Sequence, residues 1–478
     1  MWWWLIPVSA ITVIFAVVII RTLMFKPKAT DFGEPTPETF DEEKAVQDLC
    51  KLVSCKTVSY EDKSLEDDKE FKKLIGLLPT FYPNVYKTCS LIELPDRALL
   101  FKWSGKTDND PAVMMAHYDV VPVNAEAWET DPFEPVIKDG AIFGRGTIDT
   151  KATFCGILFA AEKLIAEGFM PESTVYFAFS GGEEVNGKGA VNIVDYFQQN
   201  SITPSFVLDE GGAVVENVFP GVKGACALVG IAEKGLMNVE YSCLSNGGHA
   251  SAPKPKTPID TLAKACINLV KNPFKSHLSA PVAKMFDTLG RHSTFAYRMI
   301  FANLWLFFPI LDMICKASGG DLNALMRTTV AFTQMNGSSA PNVIPPKASI
   351  ISNMRLNPLD TTDSALEYLK KTVNDPAVQI NLLIGNNPSR ISTTDCEGWE
   401  KIKKSIVATW EGSIVSPYLM VQCSDSRHYG KISDKVFRFS AMDLTNEERA
   451  TIHGNNERVR IDTFKRTVLF YIRLMKSC

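Results

Sequence analysis

His117 stands at the end of the apolar run 112–116 (A-V-M-M-A), and Asp119 lies two positions on. Side chains two apart in extended chain share a face. The carboxylate can therefore accept the second ring N–H of a metal-bound imidazole, fixing its tautomer and raising its basicity. Taken alone, a buried histidine salt-bridged to an aspartate is the better explanation of the pair. Asp149 closes G-R-G-T-I-D just before an apolar helical stretch, where it is either a ligand or an N-cap. Glu183 and Glu184 follow the apolar run 173–180 after two glycines. Adjacent carboxylates repel unless a cation or a shared proton relieves them. Such a pair offers one ligand and one free base. Asp209 and Glu210, in L-D-E-G-G, end another apolar run, and neighbours in a strand point in different directions, so either can be the ligand. His453 comes late, in I-H-G-N-N-E.

Each signal has a structural alternative when taken alone. Together, the motif-bearing strands of one layer deliver carboxylates or imidazoles at their C-terminal ends, the edge where open α/β sheets bind ligands. Two histidines and three carboxylates, all nitrogen and oxygen donors, suit zinc, with cobalt or manganese as substitutes.

The elements that would position these groups follow from periodicity. Helices are expected over 43–53 and 149–166, and strands over 98–103, 112–116, 173–180 and 205–208. That alternation describes an α/β layer. After about residue 231 the pattern becomes strand 236–243, helix 258–270, strands 328–335 and 347–356, helix 364–373 and strand 377–384. This is the β-α-β-β-α-β order of a ferredoxin-like α+β unit. The expected organisation is a catalytic α/β domain in two parts, 43–230 and 388–478, with an inserted lid or dimerisation domain over 231–387. The final helix covers 462–475. Residues 272–327 are too long for a simple connection and read as an apolar helical insertion. They are either packed, or membrane-facing and lipid-binding, or a second span interrupted by Arg298, Asn303, Pro309 and Asp312.

Residues 1–25 read as a signal anchor or signal peptide, and 26–42 as a linker. No charged side chain occurs from Trp2 to Ile20, a run of about 30 Å as helix. No basic residue precedes it and no A-x-A-like site follows. A single-pass membrane protein of the secretory or vacuolar/lysosomal route is expected, or a secreted one after cleavage. Basic residues on the C-terminal flank favour a cytosolic body by the charge rule, against that route.

The composition bounds the rest. The 478 residues are 46% hydrophobic and 22% charged, with net charge −4. That excludes a largely disordered chain and gives no basic field for nucleic acid. It also argues against a two-metal nuclease. Eleven cysteines without a C-x-x-C pair exclude a cysteine zinc ribbon.

The motifs M-A-H-Y-D-V-V-P-V, G-R-G-T-I-D-T-K, S-G-G-E-E, L-D-E-G-G, G-G-H-A-S, S-A-P-N-V-I-P and I-H-G-N-N-E occur in the order seen in the di-zinc peptidase family of aminoacylase, carboxypeptidase S and glutamate carboxypeptidase. The chain resembles that family over nearly all of 45–475. It looks most like carboxypeptidase S and the N-fatty-acyl-amino-acid synthase/hydrolase branch. The resemblance implies two zinc ions, one held by His117 and Glu210 (Asp209 the rival), the other by Glu184 and His453. Asp149 would bridge them, with a cis peptide to Thr150. It further implies that Asp119 orients His117, that Glu183 is general base and acid, and that His249 serves the partner subunit's site in a homodimer. Asn342, Arg355 and Arg427 match substrate-binding positions; a guanidinium fork suits a free carboxylate. The implied reaction is hydrolysis of an amide bond to an amino acid, in a peptide or an N-acyl amino acid. Reversible N-fatty-acyl-amino-acid synthesis is the alternative, and an inactive membrane-tethered binding protein is a third reading.

Overall fold

The computed structural model describes residues 5–28 and 33–478, with side chains from Ser9 onward. Apolar and β-branched runs bounded by turns supply the strands. A hairpin of β1 (Ser90–Leu94) and β2 (Ala98–Trp103) is followed by β3 (Thr107–His117) and a small outlying hairpin, β4 (Val136–Lys138) with β5 (Ala141–Phe143). Next come β6 (Ser173–Ser180), β7 (Phe206–Glu216) and β8 (Ala225–Glu233). The chain then leaves this layer for β9 (Gly235–Leu244), β10 (Gly248–His249), β11 (Thr329–Asn336), β12 (Val343–Ile344), β13 (Lys347–Leu356) and β14 (Val378–Asn386). It returns through β15 (Ile414–Met420), β16 (Val436–Asp443) and β17 (Arg458–Arg460), which pairs with β5.

The larger sheet has the order β1-β2-β6-β3-β7-β16-β8-β15. Its centre is parallel (β6 with β3, β3 with β7, β7 with β16); β6 is buried along nearly its whole length and β3 from Pro111 to His117. Burial on both faces requires cover on both sides. The Lys151–Ala166 and Ile461–Lys476 helices pack together on one side, and Gly189–Gln199 covers part of the other. The Lys151–Ala166 helix begins two residues later than expected, just past Asp149 and Thr150.

β7 differs from its expectation in a way that matters. The strand was expected to stop at 208; it runs to Glu216. It pairs with β3 only through Leu208, then with β16 and, antiparallel, with β8. Asp209 and Glu210 therefore lie where β7 leaves β3, inside a strand and not beyond its end. Gly212 makes the change of partner possible: a Cβ there would sit 1.8 Å from the Leu228 carbonyl oxygen.

The second sheet has the order β11-β13-β9-β14, antiparallel throughout. β13 alternates strictly between buried and partly exposed residues. One face packs on the Pro258–Lys271 and Thr362–Val373 helices in a separate core around Tyr241, Leu262, Ile350 and Leu369.

Residues 272–327 fold into four helices: Ala280–His292, Phe295–Ala302, Leu304–Ser318 and Gly320–Met326. Val282, Met285, Phe286 and Leu289 join the core of the larger sheet, with the first helix lying along β15. The second and third helices bend by 109° at their junction.

The expectation of a single-pass span is not met. Among the described residues no single helix is long and apolar enough to cross a membrane, and Ser9–Met24 is a shorter apolar helix. Trp2, Trp3 and Trp4 lie outside the described residues. All eleven cysteines are free thiols.

Candidate metal centre

β3 carries His117 to the sheet's edge, and the backbone beyond it supplies Asp119. His117 is 2% exposed. Its Nδ1 faces the Asp119 carbonyl oxygen at 3.0 Å and the carboxylate at 3.4 Å. A proton on Nδ1 satisfies those oxygens and leaves the Nε2 lone pair for a ligand. The Asp119 carboxylate also does something the sequence did not suggest. Its two oxygens accept the backbone N–H groups of Glu183 and Glu184, at 3.1 and 3.2 Å. One buried carboxylate thus fixes an imidazole and the adjacent acid pair together.

Asp149 lies between two histidines. One oxygen is 2.8 Å from His117 Nε2, and the other is 3.1 Å from His453 Nε2. The Asp149–Thr150 peptide bond is cis. His453 Nε2 is also 3.1 Å from Glu184 Oε2, and Glu210 Oε1 is 3.6 Å from His117 Nε2. Two overlapping groups have ligand atoms within 4.8 Å of one another: His117, Asp149 and Glu184, and His117, Glu183 and Glu210. Asp209 turns away, its Oδ2 accepting Ser426 N–H at 3.0 Å. Of the two rivals, Glu210 is the one brought to His117.

The electrostatics fit cations. Burial, then repulsion from Asp149, holds the Glu210 carboxyl well above its ordinary range. Burial does the same to Glu183, opposed by His117 and reinforced by Asp425, Glu184 and Asp149. Hydrogen bonds to Asp149 and Glu184 push His453 up to about 10. Concentrated buried acids of this kind are relieved by divalent metal, and two imidazoles among carboxylates match zinc-type donors.

The loops are tied by a residue to which the sequence reading gave no role. Buried Glu457 accepts from Arg145 Nη1 at 2.6 Å and Gly146 N–H at 2.9 Å through one oxygen. Through the other it accepts from Ile148 N–H at 2.7 Å and Asp149 N–H at 3.2 Å. Arg145 Nη2 reaches the Gly454 carbonyl at 2.7 Å. Glu457 ends I-H-G-N-N-E, but nothing in charge or spacing separates it from a solvated acid. Asp425 is a second such residue, accepting from Ser180 Oγ at 2.6 Å and raised by burial to about 6.

The expected substrate residues fall into two clusters. Arg427 Nη1 donates to the Ser424 carbonyl and Nη2 to Asn186 Oδ1, both at 3.0 Å, and Asn186 closes the turn that holds the acid pair. Arg355 Nη1 lies 3.4 Å from Cys423 Sγ, in the same segment. Asn342 and His249 form the other cluster, at the tip of the second sheet: Ala250 N–H donates to the Asn342 carbonyl at 2.9 Å, and His249 pairs with Val343. His249 is exposed, with Nδ1 held 2.7 Å from Ser251 Oγ.

A cavity of about 390 Å³ opens on Asp149, Glu183, Glu184, Glu210 and His453, with Leu228, Met420 and Leu444 among its apolar walls. Two larger clefts, of about 730 and 720 Å³, contain no such cluster.

Comparison with known proteins places this fold and site. The sequence profile of peptidase family M20/M25/M40 matches residues 113–477, and the chain belongs to that family. It is a metallopeptidase-type hydrolase of amide bonds. It is 34% identical to a probable carboxypeptidase S-like 2 of Dictyostelium discoideum, over 97% of this chain and 92% of that one. It is 35% identical to the N-fatty-acyl-amino acid synthase/hydrolase PM20D1 of Xenopus tropicalis, over 90% and 85%. In fold it resembles an M20 family metallo-carboxypeptidase of Sulfolobus solfataricus, with TM-score 0.67, 19% identity and coverage of 91% and 99%. A dinuclear metal-binding M20 peptidase of Bacillus subtilis matches with TM-score 0.56 and 11% identity over 91% and 98%.

Proposed function

We propose that the protein is a two-zinc hydrolase of amide bonds to amino acids with a free carboxylate, acting on N-acyl amino acids or peptides. The observation that carries this reading is Asp149, which offers one oxygen toward each of two imidazoles. His117 and Glu210 would hold one zinc, Glu184 and His453 the other, and Asp149 would bridge them. Cobalt or manganese would substitute. Zinc in such a site lowers the pKa of water toward neutrality and polarises a carbonyl.

The chain's own groups do the rest. Glu183 stands within reach of His117 and Glu210; outside the ligand set assigned here, its carboxylate would take the proton of the attacking water and return it to the leaving nitrogen. Asp119 keeps His117 in the tautomer that ligation needs and holds the Glu183–Glu184 turn. Arg427, beside that turn, takes the substrate carboxylate, with Arg355 across Cys423. His249 and Asn342 share one tip of the second sheet. In a homodimer that tip, part of an inserted lid and dimerisation domain over 231–387, would complete the neighbouring site and stabilise the developing oxyanion.

A second reading, reversible joining and cleavage of fatty acids and amino acids, is favoured by the apolar walls beside the acids and by the name of the Xenopus relative. It would go with membrane association through the N-terminal apolar helix in a secretory or vacuolar setting. Assay of N-acetyl, N-oleoyl and dipeptide substrates sharing one amino acid separates the readings. Turnover of the oleoyl amide alone selects the lipid branch. Turnover of none removes the proposal.

A further inference from the structure

The Leu5–Met24 helix is held to the rest of the chain near its C-terminal end. From Ser9 to Val17 every residue is exposed. Val18 and Thr22 are buried. Arg21 Nε and Nη2 donate to the Ala302 carbonyl at 3.1 and 2.9 Å, and Asn303 Nδ2 donates to the Val18 carbonyl at 3.2 Å. Just beyond, the Arg291 guanidinium lies 4.4 Å from the Phe25 ring centroid, and its Nη1 donates to the Lys26 carbonyl at 3.1 Å. The apolar helix is thus clamped to the elbow between Phe295–Ala302 and Leu304–Ser318.

That elbow reverses ordinary amphipathicity. The Leu304–Ser318 helix buries only Cys315, while Trp305, Leu306, Ile310, Met313 and Ile314 are exposed. Their spacing is one stripe of a helix, and the stripe faces away from the body. Half of the large exposed hydrophobic side chains among the described residues fall in 9–24 and 295–314. This is a patch, and a patch marks an interaction surface.

Two features choose its occupant. Ile11, Val13, Ile14, Phe15, Ile20 and Leu23 are spread around the circumference of the first helix, and all are exposed. A protein partner covers one side, whereas lipid surrounds. Charge agrees with this. Residues 5–28 and 295–318 contain a single acid, Asp312, which is paired with Arg327, while Arg21, Lys26 and Lys28 are exposed at the base of the clamp and Lys316 at the far helix. Aromatic side chains with a basic margin suit an anionic membrane interface.

We infer that the Leu304–Ser318 helix is a membrane seat: it lies in the interface of an anionic phospholipid bilayer, locked to the N-terminal helix, and the two enter the lipid as one wedge. The seat bears on the catalytic body through the Ala280–His292 helix, which lies along β15, the strand that carries Met420 to the cavity wall. The inference extends the membrane association proposed above and is independent of the metal chemistry.

The full-length protein, the conservative variant W305F and the triple variant L306S/I310S/I314S would be mixed with phosphatidylcholine–phosphatidylserine vesicles, with and without brominated acyl chains. The wild type should sediment with vesicles and show bromine quenching, and W305F should lose a measurable share of that quenching. The triple variant should bind vesicles roughly tenfold or more weakly, with hydrolysis of a water-soluble substrate unchanged. Failure of the wild type to bind any vesicle overturns the membrane association itself. Quenching unchanged in W305F, or vesicle binding unchanged in the triple variant, overturns the seat alone. A triple variant that instead converts a dimer to a monomer in light scattering shows that a second copy of the chain covers this face, and also overturns it. W305F keeps the test valid if the triple variant does not fold.

Discussion

Glu457 holds Arg145 at 2.6 Å across 312 positions of chain, and with its remaining capacity it accepts the backbone N–H of Asp149. The pair fastens the loop of the candidate bridging carboxylate to the loop of His453. Groups that orient metal ligands typically change metal affinity by about 10–100-fold when removed. Glu457→Gln should therefore weaken metal binding by about that factor, measured by competition with a chelator, and should alter the visible spectrum of the cobalt-loaded protein. Affinity and spectrum both like wild type would reduce Glu457 to a scaffold residue.

Arg145→Met tests the same pair from the other side. It leaves Glu457 buried and without its cation, and breaking a buried pair costs about 3–5 kcal/mol. The denaturant midpoint should fall accordingly. A change below about 1 kcal/mol would mean that the three remaining hydrogen bonds, from the Gly146, Ile148 and Asp149 N–H groups, carry the charge.

Asp119→Ala should affect two events at once. Both Glu183 and Glu184 N–H groups lose their acceptor, and His117 loses a neighbouring carboxylate. The expected outcome is weaker metal binding together with a large drop in kcat at saturating metal. If added metal restored the full rate, Asp119 would act on His117 alone and the turn would hold itself.

How far the sequence revealed this depends on what each residue needs to be recognised. His117, Asp149, Glu183, Glu184, Glu210 and His453 were legible as a set, because together they put acids and imidazoles at one edge of the α/β layer, and all six meet in space. The choice of Glu210 over Asp209 was not legible. It depends on where β7 parts from β3, which is a matter of strand pairing between segments far apart in sequence. β8, β15 and β16 were not anticipated either, although their burial is nearly complete; short apolar runs carry no marker of which sheet they enter. The N-terminal apolar run was expected to form a single span. Composition alone could not show that the helix is clamped at Val18 and Thr22 to an elbow nearly 300 residues away.

A pH effect on stability should come from Lys234. It is buried, and its Nζ donates to the Ala324 and Arg327 carbonyls. Burial, then Arg355, lowers its pKa to about 7 from an ordinary 10.5. Below about pH 7 both folded and unfolded chains carry the proton, and the burial penalty is felt in full. Between about 7 and 10.5 the unfolded chain keeps a proton that the folded one has released, so this group makes stability rise with pH across that window. Lys234→Met should flatten that part of the unfolding profile. An unchanged slope would place the titration elsewhere.

The most direct test of the metal-centre reading is metal content measured together with turnover in the wild type and Glu183→Gln. Elemental analysis should find about two zinc ions per chain in both proteins. Amide hydrolysis should be lost from the wild type on chelation and restored by zinc, and should be absent from Glu183→Gln despite its metal. A metal-free wild type that hydrolyses its substrate undisturbed by chelator, or a Glu183→Gln variant with a wild-type rate, would contradict it.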